Sequence, residues 1–167
     1  MRDDRVPAPL QRVLLHFAGV VCPPEIHTLG LVGDTVHELT QHLFAMPTHL
    51  RLGLFASFAA FDQGARLWPK ARGRRFVDLD PTRAEAYFLA VAHAAGPQRK
   101  VAQIMKGLAT LAYYELPQVK EALAYHPDAY IAQVAKRRLD SYAADIARVE
   151  AEVLTPMPTP PATQPLK

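Results

Sequence analysis

The sequence predicts an all-α protein: one helical domain of six to eight helices over residues 1–154, followed by a Pro-rich extended tail over residues 155–167. Apolar residues recur at spacings of three and four along most of the chain, which is the period of an α-helix with one buried face. Half of the residues are hydrophobic, yet only 8% are aromatic and only 8 are glycine, and this Ala-rich composition favours helices over sheets. At 167 residues the chain is long enough to bury a core.

The first predicted helix covers residues 10–22 and has a well-defined inward face. Gln11, Arg12 and His16 interrupt its apolar run, so the segment does not resemble a secretory signal. No apolar run approaches ~20 residues, so no membrane span is expected. We therefore expect a cytoplasmic protein, with export together with a partner as the alternative. The inward face consists of Leu10, Val13, Leu14, Phe17 and Val21.

The second predicted helix carries two histidines within the segment HELTQH, and Asp34 or Thr35 is expected to cap it. A zinc-protease motif needs two histidines four residues apart on one helical face. His37 and His42 are five residues apart, which separates them by about 140° around the helix. We predict a solvated polar face here and no metal site.

The third predicted helix, residues 48–67, is apolar nearly all round, which indicates either a central position in the bundle or a face that also meets a partner. The segment after it, KARGRRF, gathers four basic residues at 70–75. This segment is interpreted as a basic surface loop or, alternatively, as a docking or anion-binding patch. Arg74 and Arg75 do not form an export signal, because they lie in the middle of the chain and no apolar signal core follows them.

Two further helices are predicted as a hairpin around residues 95–97. Asp80 is expected to cap the first of them, with Pro81 in its first turn, and Pro97 opens the second. The apolar stripe of the second helix ends at Tyr113 and Tyr114, and Pro117 is expected to break the helix at about Glu115 or Leu116. Its inward stripe is predicted to be Val101, Ile104, Met105, Leu108 and Ala112.

A short helix at 118–124 and a long helix after Pro127 complete the prediction. Apolar residues of the long helix repeat at close to 3.5 residues, which is typical of a helix lying along one other helix. That other helix belongs either to the bundle or to another chain, so one outcome is a homo-oligomer through the last helix. Five prolines keep the tail from 155 onward out of helix and sheet, and we expect it to be dispensable for folding. The core is predicted to include Leu14, Phe17, Leu39, Leu43, Leu54, Phe58, Phe88, Val91, Ile104, Leu108, Leu111 and Ile131.

Composition and motifs argue against several classes of function. The net charge of +3 comes from 19 basic and 16 acidic side chains, without the basic stripe that nucleic-acid binding requires. The single cysteine, Cys22, excludes an internal disulfide. Gly30 and Gly33 have no preceding strand, so they do not predict a phosphate-binding loop. No residues are spaced as a catalytic site, and we expect neither an enzyme nor a protein that binds flavin or metal itself.

Four segments carry a resemblance to a known family: RRFVDLDP at 74–81, PQRK at 97–100, LATLAYY at 108–114 and LAYHP at 123–127. From about Leu52 to Tyr130 the chain resembles the small-subunit family of gluconate 2-dehydrogenase. It is also similar to the helical segment that precedes the flavin domain in long-chain alcohol oxidases of the glucose–methanol–choline type. The chain departs from the family pattern at Ala124, where the family tends to have glycine, and at His126, which separates Tyr125 from Pro127.

The resemblance implies a non-catalytic accessory subunit of a large flavoprotein. The partner would be a flavin-dependent alcohol or sugar dehydrogenase or oxidase, with FAD on that partner alone. A stand-alone helical module that binds an apolar ligand or another protein is the alternative. The residues predicted to contact a partner are Arg72, Arg74, Arg75, Tyr113 and Tyr114.

Overall fold

The computed structural model describes residues 6–125 and 127–154, with the backbone alone for Leu154, and within this part the chain is helical and has no strand. The prediction of an all-α protein with six to eight helices is confirmed. Three short 3₁₀ helices, Ala65–Leu67, Pro69–Ala71 and Phe76–Asp78, connect the fourth and fifth α-helices. The predicted tail lies outside the described residues. The described residues form eight α-helices: α1 Ala8–Val21, α2 Glu25–Thr28, α3 Val32–Ala45, α4 Thr48–Gly64, α5 Pro81–Ala92, α6 Pro97–Glu115, α7 Pro117–Ala122 and α8 Pro127–Leu154.

The chain divides into two units between Ala124 and Tyr125, so α1–α7 and α8 are described separately. The sequence predicts α8 and the bundle as one domain over residues 1–154. Ile131, which was predicted to be a core residue, is 60% exposed on α8, so that prediction is wrong.

Helix α1 forms the centre of the first unit, where it packs against α3, α4, α5 and α6. Its predicted inward face is confirmed, since all five of its residues are buried. Phe17 is fully buried and its ring lies edge-on to Phe58, Phe61 and Phe88, at centroid distances of 5.2, 5.6 and 5.8 Å. Such edge-to-face pairs add to the stabilisation that burial alone provides.

Polar groups attach the connection between α4 and α5 to the core. Asp62 is only 3% exposed, and its Oδ1 accepts a hydrogen bond from the backbone N–H of Val77 at 3.1 Å. The hydroxyl of Tyr87 donates to the carbonyl of Phe61 at 3.0 Å. The predicted cap of α5 is confirmed, because the side chain of Asp80 accepts from the backbone N–H of Arg83 at 3.0 Å. The bonds of Asp62 and Tyr87 satisfy groups inside the protein that would otherwise lose the hydrogen bonds of water.

Helix α6 buries a different face from the one its stripe predicted. Ile104 and Leu111 are 55% and 49% exposed, so their prediction as core residues is wrong, and Val101 and Leu108 are only partly buried. Alanines allow helix backbones to approach closely, and the face toward α3 and α5 is accordingly built from small residues with a few large ones. The buried residues of α6 are Ala102, Met105, Ala109, Ala112 and Tyr113.

Helices α3 and α4 also differ from the prediction. Helix α3 begins at Val32, before Asp34, and the buried Thr35 donates its hydroxyl to the carbonyl of Leu31 at 2.8 Å rather than capping the helix. Helix α4 is not central: Leu50 and Leu52 are 52% and 59% exposed. Its buried residues are Phe58, Phe61 and Asp62. Leu54 on α4 and Val91 on α5, both predicted to be core residues, are only partly buried and pack against the edge of the core.

Candidate interaction surface

The predicted contact residues of the basic loop remain at the surface. Arg72 and Arg74 are exposed, and Arg72 adopts φ 53°, a left-handed conformation that reverses the chain together with Gly73 at φ 77°. Arg75 is paired with Asp78, its Nε lying 3.1 Å from Oδ2, and this hydrogen bond raises the pKa of Arg75. Because Asp78 neutralises Arg75, the cationic character of the loop comes mainly from Arg72, Arg74 and Lys70.

The predicted tyrosine pair divides into a core residue and a surface residue. Tyr113 is 4% exposed, and burial raises the pKa of its hydroxyl. Tyr114 is 47% exposed, and the two rings meet edge-on at a centroid distance of 5.2 Å. Tyr113 therefore packs against Tyr114 from the core side. Only the ring of Tyr114 can contact a partner without rearrangement of the core.

The basic loop and Tyr114 do not lie together. Arg75 shares a depression with Ala8 and Arg12, in the first turns of α1. Tyr114 lines a cavity with Val21 and other residues at the end of α1. The length of α1 separates the two places, since its 14 residues span about 20 Å. The five predicted contact residues thus form no single site.

The cavity beside Tyr114 has a volume of about 530 Å³ and includes Cys22, His27 and Lys106 in its walls. The thiol of Cys22 donates to the carbonyl of Ala109 at 3.5 Å, and burial raises its pKa to about 11 against the opposing effect of Lys106. A thiol with so high a pKa is protonated at neutral pH and is a poor nucleophile. His27 uses Nε2 in a 2.8 Å hydrogen bond with the carbonyl of Gly19. The thiol of Cys22 is therefore not activated for nucleophilic attack.

The two histidines of α3 have different surroundings. His42 is partly buried, and its Nε2 lies 2.7 Å from Oε2 of Glu115, an ion pair that links α3 to the end of α6 when the imidazole is protonated. The prediction of a wholly solvated polar face is therefore wrong at His42. His37 is exposed and lies beside Gln41 on its own helix. Within the described ranges, no group of three potential metal ligands occurs.

His16 is a partly buried imidazole within the aromatic core. Its ring lies edge-on to Phe76 at a centroid distance of 4.8 Å, and Nε2 has no hydrogen-bond partner. Burial lowers the pKa of His16, while the negative charges of Asp62 and Asp78 oppose that shift. The position thus favours a neutral ring.

An apolar groove of about 610 Å³ lies between α4, α5 and α6, and sequence reasoning did not locate it. Its rim carries Leu67, which is 89% exposed. Two hydroxyls in the lining are engaged inside the protein: Tyr87 donates to Phe61, and Ser57 donates to Gly53 at 2.8 Å. The groove therefore suits apolar groups better than polar ones. Its apolar lining includes Phe61, Leu67, Trp68, Tyr87, Val101 and Met105.

Exposed apolar residues extend beyond the groove on two of the three helices that border it. Leu50 lies two turns before the groove residue Ser57 on the same face of α4, and Ile104 and Leu111 continue along α6 from the groove residue Val101. We call the groove and these three residues the α4–α6 surface. The all-round apolar pattern of α4 was its one signal in the sequence. Contiguous exposed apolar area of this kind marks interaction sites in soluble proteins.

Fold and surface define a helical bundle with an exposed apolar groove. No helix in the described part of the chain is long and apolar enough to cross a membrane. Comparison with models of known protein families, with curated proteins and with solved structures finds no match to this chain.

Proposed function

We propose that this chain is a non-catalytic accessory subunit that binds a large flavin-dependent alcohol or sugar dehydrogenase or oxidase of the glucose–methanol–choline type. The observation that carries the proposal is the α4–α6 surface, on which three large aliphatic side chains are each about half exposed. Fully burying an exposed side chain of this kind contributes about 1.5–3 kcal/mol, so covering one that is already half buried contributes about half of that. Binding of a partner over this surface would stabilise the folded forms of both proteins by mass action.

The kind of partner is proposed from the family resemblance, and two structural features are compatible with that resemblance. The segment RRFVDLDP forms the connection into α5, in which Phe76 and Leu79 are buried and Asp80 caps the helix. Ala124 adopts φ 49°, a conformation that favours glycine, at the position where the family tends to have glycine. Both features are compatible with an alignment of this chain with the family pattern, and that alignment is the basis on which we propose this partner.

Co-expression with a large flavoprotein encoded by a neighbouring gene tests the proposal. We expect the tagged chain to co-purify with a protein that shows flavin absorbance and is identified by mass spectrometry as a member of the glucose–methanol–choline type. Leu50→Glu should strongly reduce the amount retained, because it places a charge within the apolar contact. Leu29→Glu is the matched control, since Leu29 is 49% exposed but lies outside the α4–α6 surface.

Two results would contradict this function. One is a well-behaved chain that retains no flavoprotein under any of these conditions. The other is an equal loss of flavoprotein in the Leu50 and Leu29 variants, which would mean that the α4–α6 surface is not the contact.

The second candidate function is binding of an apolar small molecule, and the groove favours it because its hydroxyls are already satisfied. Trp68 is the chain's one tryptophan and lines the groove, so its fluorescence reports occupancy directly. Titration with a bromine-labelled alkyl chain should quench Trp68 in a saturable way. Val101→Glu should abolish that quenching, whereas the Leu29→Glu control should keep it. Unsaturable quenching, equal in all three proteins, would reject this candidate.

A further inference from the structure

Helix α8 carries an exposed apolar seam with a regular repeat. The helix has 28 residues, and six apolar positions alternate along it at spacings of four and three, which is the a/d pattern of a coiled coil. The exposure of its large members ranges from 40% at Ile146 to 77% at Val153. We call these six residues the α8 seam: Ala135, Leu139, Tyr142, Ile146, Val149 and Val153.

The charges beside the seam are segregated by sign. Lys136 and Arg138 flank its first part, and Glu150 and Glu152 flank its last part. All four lie at the e and g positions, which face the neighbouring helix across a coiled-coil contact. Among the residues that the structure describes, none of these four forms an ion pair. The helix thus presents two unpaired charge clusters of opposite sign at the two ends of one apolar seam.

We propose that the α8 seam is covered by the α8 seam of a second copy, in an antiparallel two-helix coiled coil. In an antiparallel pair, each a position of one helix meets a d position of the other. Placing the two-fold axis at residue 144 satisfies this rule for all six positions of the seam. The facing pairs are then Ala135 with Val153, Leu139 with Val149, and Tyr142 with Ile146, each occurring twice.

The charges select this orientation. In the antiparallel register, e positions face e positions and g positions face g positions, so Lys136 meets Glu150 and Arg138 meets Glu152 of the second copy. Each pair occurs twice by symmetry. In a parallel pair, each g position would face the following e position, which brings Asp145 against Glu150 and Arg138 against the uncharged Ala143. Like charges at such positions are destabilising, so the pattern is complementary only when the helices run in opposite directions.

One like-charge contact remains in the antiparallel register, where Asp145 meets its own copy near the axis. Arg148 offsets it, because its Nη2 lies 3.3 Å from Oδ1 of Asp145 on the same helix. Ala143 also meets its own copy there and, being small, allows the helices to approach closely. A second copy therefore fits this seam in both shape and charge, independently of the proposed flavoprotein partner.

Sedimentation velocity on the full chain tests the association. We expect a concentration-dependent equilibrium between monomer and dimer that weakens as sodium chloride is raised, because salt screens the charges beside the seam. A monomer at all accessible concentrations would overturn the proposal. Circular dichroism on every variant establishes that helix content is kept.

Charge-swap variants test the register. An acidic variant, Lys136→Glu with Arg138→Glu, and a basic variant, Glu150→Lys with Glu152→Lys, should each raise the dissociation constant by about tenfold or more. Mixed together they should form a heterodimer, because all four facing pairs become attractive again. A parallel dimer predicts the opposite for the basic variant, since Glu150→Lys would remove its repulsion with Asp145. Stronger self-association of the basic variant, or no heterodimer, would overturn the proposal.

Disulfide trapping measures the orientation directly, in a Cys22→Ala background. In the antiparallel register, position 135 meets position 153, whereas two copies of position 135 lie about 27 Å apart along the axis. A mixture of Ala135→Cys and Val153→Cys proteins should therefore form the mixed disulfide, and Ala135→Cys alone should not cross-link. Efficient cross-linking of Ala135→Cys to itself would show a parallel pair and overturn the proposal.

Discussion

The face that α6 turns toward the core can be tested with two adjacent residues. Met105 is fully buried, whereas Ile104, about 100° away around the same helix, is 55% exposed. Truncating each to alanine removes a side chain of similar size from the same stretch of backbone. The pair therefore measures burial with helix position and chain context held nearly constant.

The expected magnitudes differ by several fold. Met105→Ala should lower the free energy of unfolding by about 2–5 kcal/mol, because it removes buried contacts and leaves a cavity. Folding buries less than half of the Ile104 side chain, and alanine has the higher helix propensity. We therefore expect Ile104→Ala to lower the free energy of unfolding by about 0.5 kcal/mol or less. Urea unfolding followed by circular dichroism gives both values. A cost for Ile104→Ala equal to that for Met105→Ala would refute the observed face of α6.

Three further predictions concern strain, a buried carboxylate and a buried imidazole. Ala124→Gly should raise the melting temperature, with a gain of up to about 1 kcal/mol because glycine tolerates φ 49°; a lower melting temperature would contradict this account. Asp62→Ala should lower the free energy of unfolding, measured in urea, by about 1–3 kcal/mol, because it leaves the N–H of Val77 without a partner. Asp62→Asn should lower it less, because the amide oxygen keeps an acceptor. Equal losses in the two variants would exclude a role of Asp62 as the acceptor for Val77. Burial lowers the pKa of His16 below 6.5 in the folded protein, so the unfolded chain binds the proton first and stability falls as the pH drops below 6.5. His16→Phe should remove that part of the fall in a pH series of melting temperatures, and unchanged pH profiles would argue against it.

Local signals predicted the helices and their ends well. The inward face of α1 followed from a single apolar stripe, and the start of α5 followed from Asp80 and Pro81, since cap chemistry acts within one turn. The face of α6 could not be predicted in this way, because the helix has two apolar faces and periodicity does not say which one meets α3. The contact with α3 uses alanines such as Ala109. A pattern of large apolar residues does not include alanine and therefore does not indicate this face.

The candidate site was harder to predict than the fold. The exposure of the basic loop was foreseen, and the pairing of Arg75 with Asp78 is local. The burial of Tyr113 beneath an exposed Tyr114 depends on the angle at which α6 packs, which the sequence does not state. The groove lies between three helices that are distant in sequence, so only the packed bundle brings its walls together.

The two proposed interaction surfaces call for different kinds of partner. The α8 seam is self-complementary in charge at four facing pairs, so a second copy fits it. The α4–α6 surface is mainly aliphatic and has no such pattern of charges, so a different chain of matching shape suits it better. If both assignments hold, the acidic α8 variant should retain the flavoprotein while losing the dimer, and Leu50→Glu should do the reverse. Sedimentation and flavin absorbance measured on the same samples separate these outcomes. Loss of both properties in either variant would mean that one surface serves both contacts.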